Sequence, residues 1–191
     1  MARIACLGWG SLIWEPKDLP IQGQWSEDGP MIHVEFARQS QDGRITLVLV
    51  ETELLLPSLW AVMASVDLDS SIEALRRREG IPKRNVEKHV GRWSTGEPSP
   101  QLIPGLSEWA NAHNVNHVIW TSLPPKFNDE EIFPTAELVV EYLESLSGEQ
   151  RKKAEQYVRL APRQINTEYR RFIESSLHWH AIDSDKASIF R

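Results

Sequence analysis

The stretch from Ile4 to Trp14 constrains the fold of this 191-residue chain more than any other segment. It opens with Ile4-Ala5-Cys6-Leu7, a run of small or branched apolar residues that predicts a buried strand. Gly8-Trp9-Gly10-Ser11 follows at once and ends that strand. Glycine lets backbone N–H groups approach a ligand closely, and consecutive N–H groups at a turn can bind an anion. The pattern therefore predicts a strand that ends in a ligand-holding loop.

The two best-known phosphate-binding loops do not fit this stretch. A dinucleotide fingerprint would need a third glycine at position 13, where Ile13 stands. A P-loop would need Gly-Lys followed by Ser or Thr, and the stretch contains no such sequence. On spacing alone, an ordinary glycine turn after a strand remains an open alternative.

Composition narrows the class of protein further. Hydrophobic residues make up 41% of the chain and charged residues 25%, which is typical of a globular domain. The net charge of −6 argues against a nucleic-acid partner. The lone Cys6 cannot form an internal disulfide, and its apolar neighbours favour burial over a nucleophilic role. With no secretory leader pattern and no membrane-length apolar run, we expect a cytoplasmic protein without a membrane partner.

Apolar spacing predicts several strands before the first long helix. Ile32, Val34 and Phe36 alternate, the turn Gln41–Arg44 follows, and Ile45–Val50 reads as a second strand of a hairpin. Further strands are predicted at 59–65 and 117–121. This order predicts an α+β domain: a small mixed or antiparallel, barrel-like sheet with surrounding helices.

A helix is predicted directly after these strands. Ser70 with Glu73 forms a capping box, the helix runs over 72–79, and Gly80 ends it. At about 100° per residue, Ile72, Leu75 and Glu79 share one narrow arc. Glu79 is therefore predicted to face the core, where a carboxylate is costly unless it is paired or has a function.

The rest of the chain is predicted to be loop followed by helices. Residues 87–107 read mostly as loop, with a short helix at 106–112. The domain prediction is a core over 1–125 and a helical C-terminal portion over 126–191, packed on the same domain. Its helix signals are Pro134 in a first turn, a capping box of Ser147 and Gln150, and Asn166 or Thr167 as a cap. The predicted buried positions of these helices are Leu138, Val139, Tyr142, Leu143, Leu146, Phe172, Ile173 and Leu177.

Two segments resemble one known family. Gly8-Trp9-Gly10-Ser11-Leu12-Ile13-Trp14 resembles the N-terminal signature of the γ-glutamylcyclotransferase-like superfamily, closest to its ChaC-type branch, which carries Gly-Tyr-Gly-Ser-Leu-Ile/Val-Trp. Trp9 departs from the usual Tyr. Leu75-Arg76-Arg77-Arg78-Glu79-Gly80 looks like the family's Leu-x-x-Arg/Gln-Glu segment. The hairpin 34–50 and the segment 157–162 are also similar.

The resemblance implies a reaction and a set of roles. A γ-glutamyl amide is cyclised to 5-oxoproline and an amine or amino acid is released, without metal or cofactor. By resemblance, Glu79 is the general acid/base. The same resemblance assigns substrate binding to Gly8, Trp9, Gly10, Ser11 and Leu12. The implied partner is a small γ-glutamyl compound.

Other interpretations of these residues stay open. One is that Glu79 only pairs with Arg76 or Arg78, and the run 76–78 reads mainly as a solvated face. With Trp9 in place of Tyr, a catalytically silent ligand-binding or interaction protein is the main alternative. A third interpretation keeps the chemistry but removes a γ-glutamyl protecting group from a dedicated metabolite. His113 and His117 have metal-compatible spacing but are favoured as surface residues. The sequence leaves the substrate and the oligomeric state open.

Overall fold

The computed structural model describes residues 2–182, which form two compact units that alternate along the sequence. The first unit contains the chain up to Gly8 with Glu15–Ile32 and Pro57–Leu123. The second contains Trp9–Trp14, His33–Leu56 and the described chain from Pro124 onward. The predicted division at residue 125 stays a prediction, and the second unit combines the 33–56 segment with the C-terminal helices.

The elements of the two units are as follows. The strands are β1 (Ile4–Gly8), β2 (Ile21–Ser26), β3 (Met31–Ile32), β4 (Val34–Gln39), β5 (Ile45–Leu49), β6 (Leu56–Pro57), β7 (Leu59–Met63), β8 (Val90–Ser94) and β9 (His117–Thr121). The helices are α1 (Leu68–Glu79), α2 (Val86–His89) after a 3₁₀ turn at Lys83–Asn85, α3 (Leu106–Ala112), α4 (Ala136–Ser145), α5 (Gly148–Leu160) and α6 (Glu168–Leu177).

A five-stranded sheet in the order β2-β7-β1-β9-β8 organises the first unit. Strand β1 is antiparallel to β7 and parallel to β9, with Cys6 opposite Ala61 on one side and Ile119 on the other. All five β1 residues are buried, as the apolar run predicts. Helix α1 packs on β8 and β9. The α+β prediction is confirmed. Within the described residues β2 and β8 are free edges, so this sheet is open rather than closed into a barrel.

Helix α1 starts earlier than the capping box predicts. Asp67 is the N-cap, and its Oδ2 accepts the Ser70 backbone N–H at 2.8 Å. The predicted cap at Ser70 is therefore wrong, because an earlier carboxylate takes the orphan N–H. Glu73 binds Arg76 instead, at 2.7 Å. The predicted helix end is confirmed, since Gly80 has φ 67°, a left-handed conformation that favours glycine.

Strand β8 occupies a segment that the sequence predicts as loop, so that prediction is wrong. Its Val-Gly-Arg-Trp-Ser sequence mixes apolar, charged and glycine residues, and no clean alternation marks it. Pairing with β9 creates the strand, with Gly91 opposite Trp120. A side chain at Gly91 would collide with the Trp120 ring, so the close approach requires glycine. The predicted helix α3 and strand β9 are both present.

The second unit is built on the hairpin of β4 and β5, as predicted. Phe36 lies opposite Leu47 in its antiparallel register. Helix α5 packs on β5, α6 packs on β4, and α4 packs on α6. No helix within residues 2–182 is long and apolar enough to cross a membrane.

The C-terminal helices are present, but their caps and buried faces differ in part from the prediction. Thr167 caps α6 as expected, whereas Thr135 caps α4, so Pro134 precedes the cap rather than lying in the first turn. The Ser147 side chain makes no capping bond, and that capping box is wrong. Leu138 and Phe172 are exposed rather than buried.

The buried position near the start of α6 is taken by Arg170, of which 1% is exposed. Its guanidinium donates to the backbone carbonyls of Val158, Ala161, Pro162 and Ile165, at 2.7 to 3.3 Å. These carbonyls lie at and after the end of α5, where helix carbonyls lack intrahelical partners. Arg170 is therefore buried in this helix, whereas Phe172, which the sequence predicts to be buried, is not. The guanidinium can donate to these carbonyl oxygens, and a phenyl ring cannot.

Candidate active site

Glu79 is the last residue of α1 and lies on its buried face. It follows Leu75 by one turn and Ile72 by two, and both of these side chains are buried. The Glu79 side chain keeps 15% of its surface exposed. Helix periodicity therefore places this carboxylate as the sequence predicts, at a point that is largely withdrawn from solvent and still accessible.

Arg78 is the cation that pairs with Glu79. Its Nη1 lies 2.7 Å from Glu79 Oε1, and its Nη2 donates to the Glu15 carbonyl at 2.6 Å. Only 6% of the Arg78 side chain is exposed. Arg76 binds Glu73 and the Ile81 carbonyl instead. Of the two arginines that the sequence left open, Arg78 is the partner, and the solvated-face interpretation is wrong for both.

The Cys6 thiol on β1 is influenced by the charges of Glu79 and Arg78. Burial raises the pKa of the Cys6 thiol, and the negative charge of Glu79 raises it further, while Arg78 acts in the opposite direction. Cys6 is fully buried, as predicted, and stays a thiol. Cys6 lies two residues before Gly8, the last residue of β1.

The loop after β1 belongs to the second unit from Trp9 onward. Its turn is closed by the Ile13 N–H, which donates to the Gly10 carbonyl at 3.0 Å. Trp9 and Leu12 are buried, with 5% and 6% of their surface exposed, whereas Ser11 is partly exposed. Trp9 and Leu12 thus pack inward, whereas Ser11, Ile13 and Trp14 keep partial exposure.

Gly10 is a glycine for a steric reason. Its φ is not positive, so the conformational freedom expected from the sequence is not used. A Cβ at this position would overlap the hydroxyl of Tyr157. The loop therefore passes so close to a tyrosine side chain of the same unit that no larger residue fits.

Tyr157 is the residue of this region that sequence reasoning did not assign. Its hydroxyl accepts the Leu47 backbone N–H at 3.2 Å. Trp14 and Phe36 meet its ring edge-on, with centroids at 5.4 and 6.3 Å. A phenol is therefore fixed beside Gly10, although Trp9 lacks the hydroxyl of the usual Tyr. The one sequence signal was that the family-like segment 157–162 begins at this residue.

The two histidines with metal-compatible spacing make separate contacts. His113 stacks on Trp109 with ring centroids 4.7 Å apart, and its Nε2 lies 3.2 Å from Asp28 Oδ2. His117 Nδ1 lies 2.9 Å from Ser94 Oγ. Across residues 2–182, no group of three or more His, Cys, Asp or Glu side chains has the geometry to hold a metal ion.

Fold and site together define an α+β protein with a glutamate–arginine pair at a helix end beside a buried strand. No protein-family model matches the chain, and no curated protein matches its sequence. A similar solved structure is that of a selenomethionine-labelled γ-glutamyl cyclotransferase specific to glutathione from yeast. The two sequences are 13% identical, the match covers 94% of this chain and 98% of that one, and the TM-score is 0.47.

Proposed function

We propose that the protein is a γ-glutamyl cyclotransferase that acts on a small γ-glutamyl compound, with Glu79 as the general acid/base. The observation that carries the proposal is the placement of Glu79 in the first unit. Its side chain lies on the buried face of α1, keeps 15% of its surface exposed and pairs with Arg78 at 2.7 Å. Gly8, the first residue of the other family-like segment, ends β1 of the same unit.

The proposed reaction needs a group that first takes and then returns a proton. The α-amine of the substrate has an ordinary pKa of about 8, so most of it is protonated at neutral pH. Glu79 takes the proton, and the amine nitrogen attacks the γ-carbonyl carbon. Glu79 gives that proton to the leaving nitrogen, and the bond from the γ-carbonyl carbon to that nitrogen breaks. Glu79 then takes a second proton from the new ring nitrogen and passes it to the released amine, which is thereby protonated. The products are 5-oxoproline and the free amine, with no water consumed and no oxidant required.

The proposed role of Arg78 is to hold the Glu79 carboxylate in one orientation. Its second N–H bond, to the Glu15 carbonyl, fixes the guanidinium on the other side. A fixed base is valuable here because ring closure is intramolecular, and the rate then depends on alignment of the reacting groups. The alternative, in which the pair is only structural, is tested by substitution of Glu79 alone.

The proposed substrate-binding residues are Gly8, Trp9, Gly10, Ser11 and Leu12. Backbone N–H groups at 10–12 are suited to hold a substrate carboxylate or the oxyanion that forms at the γ-carbonyl. The Trp9 indole is buried, so its proposed contribution is packing of the loop rather than a polar contact. Ser11 is the partly exposed residue of this segment.

A catalytically silent ligand-binding protein is the second candidate. The observation that favours it is Trp9, which replaces the family's Tyr and is buried, so a phenol is lost from the loop. The two candidates differ in one product. Only the enzyme releases 5-oxoproline.

The test is a substrate panel read by mass spectrometry. The purified chain is incubated with glutathione, γ-glutamyl amino acids and γ-glutamyl amines, and 5-oxoproline is quantified. We expect product from at least one member and loss of that product in Glu79→Gln. Folded protein that yields no product from any member would favour the silent protein. Product that survives in Glu79→Gln would contradict the base assignment.

A further inference from the structure

A cavity of about 230 Å³ lies in the second unit and is not used by the proposed reaction. Its walls come from the start of β4, residues 51–56, Phe133 and the N-terminal turn of α6. All of these segments belong to one unit. The volume is sufficient for a small organic molecule rather than a single water.

This cavity differs in its lining residues from the proposed substrate loop. None of residues 8–12 lines it, and neither does Tyr157, the residue that lies against Gly10. Glu35 is one of its lining residues, and its Oε2 accepts the Tyr169 N–H of α6 at 3.2 Å. The cavity is therefore separate from the proposed substrate loop.

The walls of the cavity carry negative charge. Four carboxylates line it, those of Glu35, Glu51, Glu53 and Glu168, and its described lining includes no Lys, Arg or His. Glu35 is 2% exposed, and its Oε1 accepts the Phe36 N–H at 2.8 Å. Burial raises the pKa of Glu35, against the hydrogen bonds from Thr167, Phe36 and Tyr169. A positively charged ligand would be attracted by these four carboxylates and would favour the charged form of Glu35.

An aromatic pair forms the apolar part of the same walls. The rings of Phe133 and Tyr169 stack with centroids 5.7 Å apart and an interplanar angle of 21°. The Tyr169 hydroxyl donates to the Pro134 carbonyl at 2.7 Å, which fixes the ring. Phe133 and Leu54 are each 42% exposed. Aromatic faces attract cations, and exposed apolar side chains beside a cavity favour a carbon skeleton.

We propose that this cavity binds an organic ammonium ion, with the cationic head among the four carboxylates and the carbon skeleton against Phe133 and Leu54. A bare metal ion fits less well, because the described carboxylates do not gather into a metal-holding group and much of the wall is apolar. An anionic or neutral ligand would bring no positive charge to the negatively charged carboxylates of the cavity wall. The proposal does not depend on the cyclotransferase activity.

The test is an NMR titration of the full chain at neutral pH. Phenethylammonium is the probe, with 2-phenylethanol as the neutral molecule of the same shape and 3-phenylpropanoate as the anion. We expect saturable shifts of the backbone amides at Glu35, Thr167 and Tyr169 with phenethylammonium. We expect the neutral probe to bind at least about fivefold more weakly, since it lacks the charge. The anion should not bind.

Variants then assign the contacts. Glu51→Gln/Glu53→Gln removes two exposed charges and should weaken phenethylammonium about fivefold while leaving 2-phenylethanol unchanged. Phe133→Ala should weaken both aromatic probes. Glu141→Gln, an exposed glutamate of α4 outside the cavity, is the matched control and should change neither. These side chains are exposed, so the variants are expected to fold.

Three outcomes would overturn the proposal. Equal affinity for phenethylammonium and 2-phenylethanol would make the cavity a merely apolar groove. Saturable shifts confined to residues outside its walls would place any cation site elsewhere. Binding of a lysine-rich peptide in the absence of phenethylammonium binding would make this face a protein-docking surface instead.

Discussion

Two glutamates lie largely buried against strands of this protein, Glu79 in the first unit and Glu35 in the second, and they are held in different ways. Glu79 pairs with a guanidinium, Arg78, at 2.7 Å and keeps 15% of its side chain exposed. Glu35 is 2% exposed and binds the backbone N–H groups of Phe36 and Tyr169. One carboxylate is held by a side-chain cation, the other by main-chain donors of two elements.

The difference shows why burial alone does not identify a catalytic carboxylate. Burial raises the pKa of Glu35, the property usually sought in a general acid/base. Yet its Oε2 ties α6 to β4, and its Oε1 accepts the N–H of Phe36 in the same strand, so proton transfer there would disturb a structural link. Glu79 pairs with a neighbouring side chain at the end of a helix and remains partly accessible. By this comparison Glu79 is better suited to the proposed proton transfer. Glu35 is better suited to holding α6 on β4 and to providing negative charge at the cavity.

The largest effect is expected for Glu79→Gln on turnover. Loss of a general acid/base lowers kcat by about 10²- to 10⁴-fold. The thermal unfolding midpoint should fall less than in Arg78→Met, because the glutamine oxygen can still accept from Arg78. Steady-state formation of 5-oxoproline, with unfolding followed by circular dichroism, measures both.

Glu73→Gln is the matched control for this substitution. Glu73 lies on the same helix and also binds an arginine, but 40% of its side chain is exposed. Its turnover should stay within about threefold of the wild type, as for a surface substitution. If Glu35→Gln abolished turnover while Glu79→Gln did not, Glu35 rather than Glu79 would have to be the general acid/base.

Arg78→Met should have the largest effect on stability. It leaves Glu79 without its adjacent cation and the Glu15 carbonyl without a donor. We expect a loss of about 3 kcal/mol in the free energy of unfolding, the lower end for a broken buried pair, because Glu79 is partly exposed. Urea denaturation measures the change.

Two further variants separate charge from packing at this pair. Arg77→Met alters the neighbouring arginine, whose side chain is 69% exposed, and should cost less than about 0.5 kcal/mol. The double variant Arg78→Met/Glu79→Gln should recover part of the loss, since no charge is then left unpaired. Strict additivity of the two single changes would mean that the pair is not energetically coupled.

Gly10→Ala tests the steric constraint in the second unit, where no charge is involved. The added methyl group would overlap the Tyr157 hydroxyl, and overpacking of this kind costs about 1–3 kcal/mol. Removal of that hydroxyl in Gly10→Ala/Tyr157→Phe should restore part of the stability. A double-mutant cycle on unfolding free energies measures the coupling, and an absent coupling would show that the loop moves away without cost.

Sequence reasoning succeeded where one face of an element dominates the pattern. The 3.6-residue period placed Glu79 beside Ile72 and Leu75, and the apolar run placed β1 in the core. It failed at β8, because that strand exists through pairing with β9 rather than through its own alternation. It also failed at α6, where Arg170 is buried and Phe172 exposed, because the unpaired carbonyl groups at the end of the preceding helix leave no periodic signal in the sequence.

The candidate site was predictable only in part, for the same reason. Glu79 and the 8–12 loop follow from local patterns and from the family resemblance. The choice of Arg78 over Arg76 depends on the Glu15 carbonyl, more than 60 residues away in sequence. Tyr157 depends on a helix that follows the loop by well over a hundred residues. Contacts of this range are fixed by packing and leave no periodic signal.

The smallest expected effect is a pH dependence of stability that comes from Glu35. Burial, the dominant cause, raises the pKa of Glu35 above its ordinary value of 4.5, against the opposing hydrogen bonds from Thr167, Phe36 and Tyr169. The folded state thus holds this proton more tightly than the unfolded state. Its contribution to stability is present at low pH and is lost as the pH rises from 4.5 through the raised pKa.

Glu35→Gln isolates this contribution, because glutamine does not titrate. The unfolding free energy of the wild type, relative to that of the variant, should therefore increase as the pH is lowered from neutral toward 4.5. Urea denaturation at a series of pH values measures the difference, with Glu141→Gln as a control for an exposed carboxylate. A difference that stays constant, or that changes in the opposite direction, would mean that the hydrogen bonds from Thr167, Phe36 and Tyr169 fully offset the burial of Glu35. The contrast between Glu79, which is paired with an arginine, and Glu35, which is buried without a side-chain cation among residues 2–182, would then not extend to their electrostatics.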